Sequence, residues 1–345
     1  MIENSTNRIA FIDAMKLLGM LAIFIGHLPE SGPLIKFVFT YHVQFFFFMS
    51  GCFAISKKNL PFSKFVLGKV KSILIPYIFF LIITIAVQAL FSHWSINEIL
   101  NHLKLGLLAV RFQVWPFQLW FLPCLFIVTI IYEILRRFLK NILIIFLVSF
   151  IISAITYIYF PRIPALFFGI ESAFLFIAFY SFGSLIFPIL KNLEINYNKK
   201  SLVKFFVLAL GILSLIYAVM LFLEKDILFK FFVDLSHREV SPVSFLGYGY
   251  LFIQSVILFY ANFVLALFLS KIKLIPKIGA NSLYLCGNEA FIKILITSLL
   301  SLAGINFIIR NPLLAVIYSM ALIVIIHFLL APVEKIILKF TTKKS

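Results

Sequence analysis

Three ionisable side chains stand in the first apolar stretch of the chain, at Asp13, Lys16 and His27. Asp13 and Lys16 are three residues apart, so they share one face of a helix. Lys16 and His27 are about three helical turns apart, so they also share a face, roughly 16 Å apart along the axis. One helix face therefore presents a cation near one end and an imidazole near the other.

These residue types suit a definite chemistry. A lysine that faces inward can hold a phosphate-bearing ligand as a point charge. A histidine changes its charge near neutral pH, so His27 can remove a proton from a hydroxyl group. The alternative is structural: Asp13 and Lys16 form an ion pair, and His27 extends into the membrane interface. One helix alone does not separate these interpretations.

Two further sets of polar residues lie in or beside apolar stretches. His42 and Gln44 begin the second stretch on the side where they could meet His27. Glu289 and Lys293 are four residues apart in the ninth stretch, so they can pair on one helix face. Ionisable groups inside a membrane cost several kcal/mol unless they face a paired or wet interior. We therefore expect the pair of Glu289 and Lys293 to face the interior of the protein, while His42, at a helix end, could instead have a structural role.

The composition identifies the elements that must position these residues. Of 345 residues, 63% are hydrophobic and only 12% are charged, whereas a water-soluble domain has roughly a quarter charged residues. The sequence predicts a single all-α membrane domain over residues 1–345, with about ten spans of the length that a bilayer requires. The predicted spans are 9–28, 37–56, 72–92, 117–135, 141–160, 171–190, 202–223, 243–270, 279–302 and 312–332.

The distribution of Lys and Arg predicts the orientation of these spans. Alternate loops collect twenty basic residues on one side and eight on the other, and the basic side of short loops is cytoplasmic. We expect both termini in the cytoplasm. The composition, rich in Lys, Ile, Phe and Asn, is consistent with a bacterium, so we expect a multi-pass protein of a bacterial cell membrane. The net charge of +17 then reflects contact with lipid, and we expect no nucleic-acid partner.

Two loops on the outer side are distinctive. The connection from His93 to Pro116 has the spacing of an amphipathic helix, and we expect a helix over 95–110 that lies on the outer surface without crossing. Residues 224–242 are the most charged outer loop, and we interpret them as solvated. The three cysteines have no metal-binding spacing, so we expect no metal site.

Five motifs in order resemble those of the membrane-bound acyltransferase-3 family, in particular its branch similar to fucose 4-O-acetylase. The first stretch has the family's Arg, then Asp-x-x-Arg/Lys, ten residues and His. A Phe-rich run ending in Ser-Gly, a basic loop leading to Ile-Pro-Tyr, a Trp-Phe-Leu element and a late Gly-x-x-Ser-Leu segment follow. The matching positions are Arg8, Asp13, Lys16, His27, Phe45–Gly51, Lys69–Tyr77, Leu119–Pro123 and Gly279–Leu285.

The resemblance implies transfer of an acyl group, usually acetyl, from cytoplasmic acyl-CoA to a hydroxyl of a cell-surface or lipid-linked sugar. Acyl-CoA would be a co-substrate rather than a permanently bound cofactor. His27 and Asp13 would be the catalytic candidates, although Asp13 could instead orient Lys16. The candidate contacts to acyl-CoA are Lys16, Lys69 and Lys71, and those to the acceptor are His42, Gln44, Trp120 and Glu289.

The chain departs from the family pattern at three places. Lys16 replaces the commoner Arg, Ser72 replaces a basic residue, and Cys286–Glu289 stand where many relatives have a His. Two other functions remain open at this point. A transporter or flippase also needs many spans with a few buried charges, and a non-catalytic partner of a polysaccharide synthase would need no base at His27.

Overall fold

The computed structural model describes residues 9–28, 33–54, 60–111, 113–159, 163–196, 199–223, 243–305 and 308–343. These residues form helices and turns, and no β-strand occurs among them. The predicted charged loop at 224–242, the motif residue Arg8 and both chain ends lie outside the described residues. The prediction of an all-α membrane protein is confirmed.

The chain runs through fifteen helices in the described ranges. Their bounds are α1 Ala10–Gly26, α2 Pro33–Phe39, α3 His42–Gly51, α4 Phe62–Lys69, α5 Ile75–Ser92, α6 Ile96–Leu108, α7 Phe121–Leu139, α8 Ile142–Tyr159, α9 Ile170–Asn196, α10 Lys199–Leu223, α11 Val243–Leu269, α12 Leu274–Gly279, α13 Ser282–Leu302, α14 Pro312–Ile325 and α15 Ala331–Lys343. Short π-helical turns, Val70–Leu74 and Ile326–Leu330, join α4 to α5 and α14 to α15.

Eight helical stretches in the described residues are long and apolar enough to cross a bilayer. They correspond to the second to sixth and the eighth to tenth predicted spans. Of the other two, α1 has 17 residues, and the shorter apolar helix Val203–Leu215 lies within α10. The count of ten spans and the cytoplasmic location of the termini stay predictions.

Helix α1 lies inside the bundle. Most of its side chains are buried, and it packs against α2, α3, α11, α12, α13 and α14. Apolar residues surround this helix on nearly every side, so its length does not have to match the bilayer. The Lys16 and His27 face of α1 is therefore turned toward other helices.

Close packing between α3 and α9 depends on two glycines. A Cβ atom at Gly51 would overlap the carbonyl group of Tyr180, and one at Gly183 would overlap the carbonyl group of Phe48. Small residues permit such backbone approach between membrane helices. The Ser-Gly pair after the Phe-rich run thus serves helix packing, which explains a motif that spacing alone could not interpret.

The helix predicted at 95–110 is confirmed as α6, and its location on the outer surface without crossing stays a prediction. The hydroxyl of Tyr77, near the start of α5, donates to the carbonyl of Gly106 at 2.5 Å. The side chain of Leu81 fills the space that a Cβ at Gly106 would need. Because α6 follows the end of α5, these contacts show that α6 folds back along the side of α5.

The residues of α6 explain this position. Gly106 allows close contact with α5, and Ile99 and Leu103 pack against the core. The opposite side exposes Leu100 and Leu107, which suits lipid. A capping box with Ser95 starts the helix, and the backbone N–H and hydroxyl of Ser95 hold the pKa of Glu98 below its usual range. The chain then returns toward α7 through residues 109–111 and 113–120.

Candidate active site

The site is centred on a contact between α1 and α13. His27 is the residue that ends α1, and Glu289 lies within α13 with no exposed surface. Nδ1 of His27 is 2.8 Å from Oε2 and 3.0 Å from Oε1 of Glu289. Because a carboxylate accepts hydrogen bonds, Nδ1 is the donor, and the lone pair of the neutral ring is on Nε2.

Lys293, one turn after Glu289, completes this group. Its ammonium donates to Oε1 of Glu289 at 2.5 Å and to the carbonyl of Phe24 at 2.9 Å. The predicted pairing of Glu289 with Lys293 is confirmed. The positive charge of Lys293 offsets the negative charge of Glu289, so the buried carboxylate does not depend on a protonated His27 for its counter-charge.

The His27–Glu289–Lys293 group borders a cavity of about 280 Å³. We name it the outer cavity, and the one beside Lys16 the inner cavity, after the orientation that the sequence predicts. Its wall combines apolar side chains with a few polar groups, as is typical of small-molecule sites. The lining residues are His27, Leu28, Trp115, Pro116, Gln118, Ala290, Lys293, Ile294, Thr297, Ile308, Ile309 and Tyr318. The imidazole and ammonium groups therefore border a space large enough for a substrate.

A second, inner cavity of about 190 Å³ lies beside Lys16. Ile23 also lines this inner cavity. Ile23 and His27 are one helical turn apart and share a face of α1. The two cavities thus lie along the same face of α1. Lys16, toward one end of this helix, lines the inner cavity, and His27, at the other end, lines the outer cavity.

Lys16 and Asp13 form the inner polar group. The ammonium of Lys16 lies 2.9 Å from Oδ1 of Asp13 and 4.8 Å above the ring of Phe53. Asp13 is buried, and fourteen residues separate it from His27, a distance of about 21 Å along the helix. The structure brings Asp13 to Lys16 and keeps it away from His27.

Three other candidate contacts lie outside the walls of both cavities. The ring of His42 is 6.3 Å from that of His27, and its Nδ1 is 2.8 Å from the carbonyl of Val38. Gln44 is fully buried, and its amide has no hydrogen-bond partner in the described part of the chain. Trp120 packs near Phe176. His42, Gln44 and Trp120 line neither cavity.

Lys69 and Lys71 lie at the junction between α4 and the π-helical turn. Both are half-buried, and the next residues, Ser72 and Ile73, line the inner cavity. π-helical turns are frequent at functional sites. The two lysines therefore lie next in sequence to the wall of the inner cavity, although neither of them lines it.

Sequence reasoning did not identify Trp115 and Gln118, which line the outer cavity, or the contact of Glu289 with His27. The available signal for the first two was a polar segment between two spans, which contains Arg111, Trp115 and Gln118. Its folding back into the bundle had no local signature. Arg111 itself lies 3.7 Å from the buried Glu171, away from both cavities.

Other buried charges are explained by local pairs. Glu133 accepts hydrogen bonds from the guanidinium groups of Arg136 and Arg137, each at 2.8 Å. Asn281 and His327 are hydrogen-bonded at 2.8 Å. Across the described ranges, no group of His, Cys, Asp or Glu side chains is arranged to hold a metal ion.

Comparison with known proteins supplies one match. A family model described as an acyltransferase domain matches residues 9–332 of the chain. No match to the chain was found among curated proteins or among solved structures. The matched range includes His27, Glu289 and Lys293 and both cavities.

Proposed function

The chain belongs to the acyltransferase-3 family, and from that premise we propose that it is an O-acyltransferase of a bacterial cell membrane. The acyl group is acetyl, and the donor is cytoplasmic acyl-CoA. The acceptor is a hydroxyl group of a cell-surface or lipid-linked sugar. The observation that carries this proposal is the His27–Glu289–Lys293 group at the wall of the outer cavity.

His27 is the general base of the reaction. Nε2 of His27 takes the proton of the acceptor hydroxyl while its oxygen forms a bond to the thioester carbonyl carbon. The C–S bond then breaks, and the thiolate of CoA takes the proton from Nε2. Atoms and charges balance without a further reactant.

Glu289 and Lys293 support this cycle. Glu289 holds Nδ1–H of His27 and stabilises the imidazolium that forms between the two proton transfers. The ammonium of Lys293 has three N–H donors and directs two of them to Glu289 and Phe24. Its third donor can stabilise the negative oxygen of the tetrahedral intermediate.

We assign the donor to the inner cavity, whose volume of about 190 Å³ holds only part of acyl-CoA and leaves the rest of the molecule outside. Lys16 attracts a phosphate group of acyl-CoA as a point charge, and Asp13 orients its ammonium. Lys69 and Lys71, next in sequence to the wall of the same cavity, add positive charge. The thioester then reaches His27 past Ile23, which is one turn away on the same face of α1.

The test measures acyl transfer from radiolabelled acetyl-CoA to a panel of methyl glycosides by purified protein in nanodiscs. The wild-type protein should label at least one glycoside, and His27→Gln should reduce the rate by about 10²- to 10⁴-fold because glutamine cannot take the proton. His102→Gln is the matched control, since His102 stacks on Trp94 and lines neither cavity.

Cells provide the second arm of this test. Mass analysis of surface glycans should show an acyl group that disappears when the gene is removed and stays absent with His27→Gln. A protein that moves a glycan across the membrane without consuming acyl-CoA would refute the proposal and favour a flippase. Full acyl transfer by His27→Gln would refute the role of His27.

A further inference from the structure

We propose that Trp115 and Gln118 form the acceptor subsite, which holds one neutral sugar ring against His27. The inference deepens the proposed function and rests on it. Both residues belong to the segment between α6 and α7, and both line the outer cavity.

Two residues that line this cavity each carry a buried polar atom without a partner in the described part of the chain. Nε1 of Trp115 and Oε1 of Gln118 are buried and make no hydrogen bond in the described part of the chain. A buried polar atom without a partner costs about 1–3 kcal/mol, so such atoms require an explanation. A bound ligand that hydrogen-bonds to both atoms removes this cost.

The types of the two atoms define the ligand. The indole N–H only donates, and the amide oxygen only accepts. A sugar hydroxyl can do both, so neighbouring hydroxyl groups on one ring match the pair. A phosphate or carboxylate group would repel the amide oxygen of Gln118. At Trp115 and Gln118, the combination of one donor and one acceptor therefore favours a neutral polyol over an anion.

The remaining wall fits a ring with two different faces. The indole of Trp115 offers an apolar surface for the C–H groups of a sugar, and Ala290, Ile294 and Ile309 add apolar area. About 280 Å³ is slightly below the usual range of small-ligand pockets, which begins near 300 Å³. The cavity accommodates one ring at a time, so a longer glycan would have to present its end or a single residue.

The segment that carries the subsite is held in place by its neighbours. Ala109 and Val114 are buried, and the N–H of Val114 donates to the carbonyl of Val110. The preceding helix α6 is fixed to α5 through Tyr77 and Gly106. A rigid scaffold beneath a loop is the usual way to position a binding residue.

Nuclear magnetic resonance on protein labelled with ¹⁵N-tryptophan gives a direct test. The chain has three tryptophans, so three indole signals are expected, and Trp94→Phe and Trp120→Phe assign them. Neutral methyl glycosides of glucose, galactose and fucose are added, with inorganic phosphate as the anionic probe. The Trp115 signal should shift saturably with at least one glycoside and not with phosphate. No shift with any glycoside, or a saturable shift with phosphate, overturns the subsite.

Kinetics with the glycoside that is the best acceptor give the second measurement. Trp115→Phe keeps the ring and removes the N–H, and Gln118→Ala removes the amide. Each should raise the KM for the glycoside about 3- to 10-fold, which corresponds to the loss of one hydrogen bond. The KM for acetyl-CoA should not change. Trp94→Phe and Gln88→Ala are matched controls, because both residues lie outside the two cavities.

These measurements separate failure of the subsite from failure of the proposed function. If a glycoside shifts the Trp115 signal but no acyl group is transferred, the subsite stands and the proposed reaction fails. Suppose instead that transfer occurs, that no glycoside shifts the Trp115 signal, and that Trp115→Phe and Gln118→Ala keep the wild-type KM for the glycoside. The reaction then stands and the subsite is refuted. His27→Gln should bind the glycoside normally and transfer nothing measurable.

Discussion

The carboxylate of Glu289 lies 2.8 Å from Nδ1 of His27, although 262 residues separate the two positions. This contact fixes the orientation of the imidazole and leaves the lone pair of the neutral ring on Nε2. It also places residues of the first and the ninth predicted spans in one site. The predictions below follow from this relationship and from the packing around it.

Glu289→Gln should reduce kcat for acyl transfer by about 10²- to 10⁴-fold. The amide has nearly the same shape, but its NH2 group can donate to Nδ1 and thereby place the proton on Nε2, the wrong tautomer for a base. Steady-state kinetics on purified protein check this, and the KM for acyl-CoA should change little.

Glu334→Gln is the matched control for this variant. Glu334 is also buried and accepts a hydrogen bond from Asn288 at 2.7 Å, but it lines neither cavity. It should keep the wild-type kcat. Wild-type kcat in Glu289→Gln would show that the carboxylate does not act on His27.

Lys293→Met should destabilise the protein by about 3–5 kcal/mol, because it removes the cationic partner of a fully buried carboxylate. Thermal unfolding of the purified protein, with its yield from membranes, measures this loss. The double variant Glu289→Gln, Lys293→Met should recover much of the stability and none of the activity. A stable Lys293→Met single variant would contradict the pairing argument.

Lys16→Met should weaken acyl-CoA binding, while Lys16→Arg should keep substantial activity, because a point charge is what the donor phosphate requires. Asp13→Asn should be milder, since it removes only the group that orients Lys16. Titration of acyl-CoA against purified protein is the measurement.

The structural alternative for this pair predicts the opposite pattern. If Lys16 only neutralises Asp13, both single variants should fall in abundance and the double variant Asp13→Asn, Lys16→Met should recover. Unchanged acyl-CoA affinity in well-folded Lys16→Met protein would exclude the proposed contact with the donor.

Gly279→Ala should lower the amount of folded protein, because its Cβ would overlap the backbone carbonyl of Asp13, which cannot move as a flexible side chain could. Gly211→Ala is the matched control, since nothing lies near a Cβ at that position. The control should be neutral or slightly stabilising, as alanine favours helices by about 1 kcal/mol. Comparable yields of the two variants would refute the close α1–α12 approach.

Properties that depend on local pattern could be predicted from the sequence. Long apolar stretches require helices, because every backbone polar group in a bilayer must be satisfied within its own segment. The shared face of Lys16 and His27 follows from helical periodicity alone. The pairing of Glu289 with Lys293 follows from the same periodicity. The amphipathic spacing of residues 95–110 likewise predicts the helix α6.

Properties that depend on how helices meet could not be predicted in this way. The contact of His27 with Glu289 arises from the packing of α1 against α13, and no periodicity relates residues on different helices. The position of α6 along α5 depends on Gly106 fitting against Leu81, a tertiary contact without a local signal. The same packing brings Trp115 and Gln118 into the outer cavity, because only the assembled bundle defines which polar groups share one enclosed space.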